Sequence, residues 1–166
     1  MRSGTRRLAL SALLVTVMLM LGYVESLIPT GVPGVKLGLS NSVLILAICW
    51  LGVPWAVGLM LVKVLLSALL FSGVGAMLYA LAGGVLSMLA MCVLYKSKGF
   101  GLAAVAVAGA VMHNVGQVCA AMLILKTDRL VYYMGALMLV GVVTGLVTGT
   151  AAKSLIKRIP ESMLPK

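Results

Sequence analysis

Acid is what this chain lacks. Of its 166 residues only three are acidic, Glu25, Asp128 and Glu161, and charged residues of both signs make up 10%. Three scattered carboxylates exclude chemistry that relies on paired or clustered acids. A soluble domain carries about 25% charged residues. Here 63% of the chain is apolar and the mean hydropathy is +1.20. Such a chain does not dissolve as a globule; it belongs in a bilayer. Cysteine is also sparse. Cys49, Cys92 and Cys119 are odd in number, far apart and inside apolar runs. They give no metal-binding pair and no disulfide framework, and they read as buried thiols. Motifs for enzymatic or ATP-driven work are missing as well: there is no Ser-His-Asp set, no H-E-x-x-H and no G-x-x-x-x-G-K. The Gly83-Gly84 pair has no dinucleotide-binding spacing around it.

The net charge of +10 reads as a topology signal rather than a nucleic-acid surface, because the cations sit between apolar runs. Those runs predict an all-α integral membrane protein. Six helices are expected, at about 8–28, 40–51, 54–71, 74–95, 102–125 and 130–152. A Gly/Pro loop, 29–39, follows the first and a basic tail, 153–166, follows the last. The basic start also resembles a signal peptide, but no small-x-small site follows it, so the first helix reads as retained. The second run is short. About twelve residues span only ~18 Å of a ~30 Å core. It either extends back through Lys36 or lies buried among other helices.

With the N-terminus inside, nine basic residues face the cytoplasm: Arg2, Arg6, Arg7, Lys96, Lys98, Lys153, Lys157, Arg158 and Lys166. Three face outward: Lys36, Lys126 and Arg129. That asymmetry predicts both termini in the cytoplasm and an even number of spans. It places the loop from Glu25 to Asn41 on the outer face. A long Gly/Pro-rich loop there is a candidate for function.

Ionisable residues inside membrane helices are site hypotheses by default. Lys63 and His113 fall near the midplane on helices that run the same way. His113 and Gln117 share a face at i,i+4, and Asn114 and Gln117 at i,i+3. Glu25 ends the first helix, within reach of Lys36 or Lys63. Asn41 and Ser42 read equally as ligand contacts or as caps of the second helix. Gly141, Gly145 and Gly149 form a small-residue stripe on the last helix, suited to close packing within the bundle or against a partner.

Three stretches carry a family resemblance: Glu25-x-x-Ile28-Pro29, PGVKLGLSN at 33–41 and GAVMHNVGQ at 109–117. Their order and spacing, over about residues 20–150, resemble the bacterial membrane family described as heptaprenyl diphosphate synthase component I, or Gx transporter family. The name implies prenyl chain elongation. Prenyl synthases use aspartate-rich motifs, and Asp128 is the single aspartate here, so no catalytic role is expected. The family also resembles the S components of energy-coupling-factor vitamin transporters. That resemblance implies six helices with both termini cytoplasmic, in a bacterial plasma membrane. It also implies a vitamin-like solute bound beneath the loop after the first helix. The partner implied is a transmembrane coupling subunit with ATPases. S components dock through small residues at i,i+4 on the first helix; the pairs here, Ala9 with Leu13 and Ser11 with Val15, do not keep that motif.

The expected function is therefore a substrate-binding transport subunit for a small organic solute, without cofactor or metal. Recognition falls to Glu25, Lys36, Asn41, Lys63, His113, Asn114 and Gln117. Lys63 serves as partner of an anion or carbonyl, the amides orient the ligand, and the loop closes as a lid. The alternative is a non-catalytic accessory subunit of isoprenoid or quinone synthesis, or of flavin- or quinone-linked extracellular electron transfer, with a redox partner protein.

Overall fold

A computed structural model describes residues 3–28 and 36–159. The described residues form helices and turns and no strand. In chain order the helices are α1 (Ser3–Ser26), α2 (Leu39–Ser42), α3 (Leu44–Leu51), α4 (Val53–Ser67), α5 (Gly73–Lys96), α6 (Leu102–Leu125) and α7 (Val131–Arg158). A π-helical turn, Ala68–Ser72, joins α4 to α5. Among the described residues, four stretches are long and apolar enough to cross a membrane: Gly4–Ser26, Val53–Lys96, Leu102–Leu125 and Val131–Arg158.

The polarity of the bundle is inverted relative to a soluble protein. Leu69, Leu123 and Leu139 are 80%, 79% and 71% exposed, whereas Glu25, Lys63 and His113 are 1–2% exposed. Only a hydrocarbon solvent makes that arrangement economical. Threonines on the helices satisfy themselves locally: Thr16 donates to the Ala12 carbonyl and Thr148 to that of Thr144, the i−4 pattern that keeps a hydroxyl from facing lipid unpaired.

Breaks in the helices follow from glycine and proline. Gly52, at φ 87°, ends α3 and donates to the carbonyls of Ala47 and Ile48. Pro54 then occupies the first turn of α4, where a missing N–H costs nothing. Gly73, at φ 78°, turns the chain between α4 and α5. The two helices fold back on each other, because a Cβ at Gly84 would lie 2.8 Å from the Met60 sulfur.

Close backbone approach joins α5, α6 and α7. A methyl at Gly145 would sit 2.5 Å from the Val107 Cα, and one at Gly149 would sit 2.7 Å from the Ala103 Cα. One at Gly141 would meet Val111 at 3.2 Å. The stripe thus packs antiparallel on α6, within the chain. On the other side of α6, Gly116 lies against Ala82 and Gly83 of α5, and Gly109 against Met91. Packing of this kind replaces the hydrophobic effect, which does not operate between helices in lipid.

Several expected boundaries differ. The first helix begins at Ser3 rather than near 8. The stretch 40–51 is two short helices broken at Val43. The stretch 54–71 ends its α-helical part at Ser67. Residues 153–158, expected as tail, continue α7. Straight-chain Lys and Arg are good helix formers, and Lys157 and Arg158 complement the dipole in the last turn. Of the expected outer loop, 29–35 lies outside the described residues, as do Arg2 and Lys166. The rest of it, 36–39, is not on the surface: Lys36 and Gly38 are buried, Leu37 and Leu39 are half-buried, and Leu39 already belongs to α2. Polar composition was equated with solvent exposure, and here the polar partners are supplied by distant helices.

Candidate functional site

At Lys36 the chain lies inside the bundle, and α2 begins beside the middle of α6. Gln117 fixes this entry. Its Oε1 accepts the Lys36 backbone N–H at 2.8 Å, and its Nε2 donates to the Lys36 carbonyl at 3.2 Å. One carboxamide thereby satisfies both main-chain groups of a residue that has no helix to do so. Gly38 follows at φ 93°, a conformation an L side chain rarely adopts. A Cβ there would meet Asn114 Oδ1 at 3.4 Å and the His113 ring at 3.5 Å. Glycine thus lets the backbone lie directly on the His113–Asn114 face. Glu25, at the end of α1, accepts the Leu39 N–H through its Oε1, which satisfies an orphan donor at the start of α2.

Asn41 is the centre of the polar cluster. Its Oδ1 accepts from Lys63 Nζ at 3.1 Å, and its Nδ2 lies 2.9 Å from His113 Nδ1. Elements α2, α4 and α6 are thereby tied through one side chain. Asn41 does not cap a helix; α2 starts at Leu39 without a side-chain cap, and the amide is spent on tertiary bonds instead. Asn114 turns the other way and donates to the Leu137 carbonyl of α7 at 2.7 Å.

Lys36 crosses the upper part of the cluster. Its Nζ donates to Ser72 Oγ at 2.6 Å and lies 4.7 Å from the centre of the Phe71 ring. Tyr23 meets the same ring edge-on at 5.7 Å. The π turn thus presents Phe71 and Ser72 to the lysine.

All seven expected recognition residues come together around the segment 36–41. Glu25, Lys36, Asn41, Lys63, His113, Asn114 and Gln117 are each buried. The correction concerns Lys36, expected on the outer surface and found inside. The sequence alone assigns no site role to Gly38, Ser40, Phe71, Ser72 or Gly83. Gly83 carried a signal, since a Gly-Gly pair inside an apolar helix marks close approach. A Cβ there would lie 2.6 Å from the His113 carbonyl oxygen and 2.7 Å from its Nδ1. Ser40, Phe71 and Ser72 carried none, being ordinary residues for a loop or an apolar helix.

The arrangement gathers two lysines, three amides, a histidine and one carboxylate. Among the described residues, no three His, Cys, Asp or Glu side chains gather as a metal site. No curated protein and no solved structure matches the chain. All the polar residues just described lie within one matched family model, that of heptaprenyl diphosphate synthase component I, which spans residues 14–155, and the chain belongs to that family.

Proposed function

We propose that this chain is a non-catalytic membrane component that binds a small polar organic solute, in the manner of an S component. The solute would sit among Glu25, Lys36, Asn41, Lys63, His113, Asn114 and Gln117. The observation that carries this reading is burial. Two lysines, a glutamate, a histidine and three amides fill the interior of an otherwise apolar bundle. Packing alone does not call for them, since apolar residues of similar volume hold a core at least as well as buried charges. Ionisable groups kept at such depth serve a ligand or a pathway.

The topology that accompanies this reading has six passes, counting α4 and α5 separately and 36–51 as the second. Both termini face the cytoplasm of a bacterial plasma membrane. The gathering of Arg6, Arg7, Lys96, Lys98, Lys153, Lys157 and Arg158 near helix ends supports it. A cysteine at Lys126 should label from outside intact cells and one at Lys98 only after permeabilisation; the opposite pattern inverts the protein. The chain carries no nucleotide-binding motif, so active uptake requires a partner, such as a transmembrane coupling subunit with ATPases.

A second reading rests on the family description. A component I implies a further component, which favours an accessory subunit of isoprenoid or quinone synthesis, or of quinone-linked electron transfer. Native mass spectrometry from mild detergent separates the two. A stoichiometric polar metabolite, lost in Lys63→Met or His113→Leu, is the expected result. Equal retention in both variants removes the site. A retained prenyl lipid, quinone or partner enzyme favours the accessory role.

A further inference from the structure

The buried cluster is unbalanced in two ways at once. Lys36 and Lys63 oppose one carboxylate, Glu25, so its formal charge is positive by one. One carboxylate neutralises only one of the two cations. Among the described residues, three buried atoms of the cluster also find no hydrogen-bond partner: Glu25 Oε2, Asn114 Oδ1 and Ser40 Oγ. Two of these accept only, and the third can accept. The cluster is therefore short of negative charge and short of donors. A buried unpaired acceptor is costly, and an uncompensated buried cation costs more.

One molecule that supplies both missing elements removes both penalties. Building on the solute-binding reading above, we infer that the ligand is a small water-soluble monoanion that also carries hydroxyl or amide N–H groups, a hydroxylated carboxylate being the simplest case. Its anionic end lies between Lys63 and Lys36. An ammonium has three N–H donors, and the 3.1 Å bond to Asn41 uses one of those on Lys63. Its donor end lies toward Glu25 Oε2 and Ser40 Oγ. These two belong together: Ser40 packs on Gly22, one turn before Glu25 on α1, where a Cβ would lie 3.7 Å from Ser40 Oγ. An amphiphile with an anionic head would set an apolar tail against polar atoms here.

Thermal unfolding of the full chain in detergent tests this with a ladder of probes at equal ionic strength, chloride being the control. Acetate is the anion alone, glycolate adds a hydroxyl, and ethylene glycol has hydroxyls without charge. Glycolate should raise the melting temperature with a half-saturating concentration about tenfold below that of acetate. Ethylene glycol should do nothing. Glu25→Gln should close the gap between glycolate and acetate while keeping the acetate response, and Lys63→Met should abolish both. If Glu25→Gln does not fold, Ser40→Ala should narrow the same gap.

Equal responses to acetate and glycolate, a response to ethylene glycol, or no response to any probe overturns the inference. So does displacement of glycolate by geranyl diphosphate, which would make the anion a lipid head. The solute-binding reading is judged separately. A neutral metabolite retained in native mass spectrometry and lost in Lys63→Met would sink the anion while leaving that reading standing.

Discussion

The wall formed by α5, α6 and α7 and the inserted segment 36–41 are held by opposite means. The wall is joined through glycines that bring backbones into contact, at Gly83, Gly116, Gly141, Gly145 and Gly149. The segment is held by side-chain hydrogen bonds from Glu25, Gln117, Lys63 and His113. Backbone packing has no alternative partner and does not exchange. Hydrogen bonds in a bundle average only about 0.6 kcal/mol each, because displaced groups find others. The segment is therefore the more exchangeable of the two regions, and the wall stays fixed behind it.

The sharpest way to break this comparison is to overfill the wall. Gly145→Leu places a side chain where Val107 Cα stands 2.5 Å from the new Cβ. Loss of about 3 kcal/mol or more is expected, read as failure to purify as a folded species or as a large drop in melting temperature. A melting temperature equal to wild type would mean that α6 and α7 are not welded.

Gln117→Ala should release the segment and leave the wall intact. It strips both Lys36 main-chain groups of their partner, worth about 2 kcal/mol locally. Hydrogen exchange at 36–41 should accelerate about thirtyfold, with α5–α7 unchanged. Uniform acceleration everywhere would erase the distinction between the two regions.

A smaller effect sharpens it. A cysteine at Lys36, which is 6% exposed, should react slowly with a water-soluble maleimide. Combined with Gln117→Ala it should react several times faster. Fast labelling in the single variant would place this residue on the surface after all.

The smallest effect is a control. A Cβ at Gly135 meets nothing within 4 Å, so Gly135→Ala should be neutral or stabilising by up to about 1 kcal/mol. A clear loss of stability there would show that glycine matters on α7 for a reason other than close approach.

Much of this was legible in the chain itself, and the illegible part has a common cause. Membrane residence, the apolar helices and the special standing of Lys63, His113, Asn114 and Gln117 follow from local composition, because a charge in an apolar run is improbable without a reason. Asn41 was legible as a polar residue but not as the hub between Lys63 and His113. That role depends on α2, α4 and α6 meeting, and no local pattern encodes the meeting. Lys36 was misread for the same reason. A lysine in a Gly/Pro stretch has the composition of a solvated loop, and only Gln117, 81 positions later, draws its backbone inside.

The sequence alone determined the solvent. Three acids in 166 residues and a 63% apolar content leave only a bilayer, since transfer energy depends on composition and not on arrangement. It also determined where the chain could break, at Gly52-Val53-Pro54 and Gly73, because backbone freedom is local. Only the tertiary structure decided what the polar residues do. Bringing a carboxylate from α1, an amide from α2, a lysine from α4 and a stripe from α6 around one inserted segment is a matter of contacts far apart in sequence. Their partners, and therefore their unmet hydrogen bonds and unbalanced charge, exist only once the helices have packed.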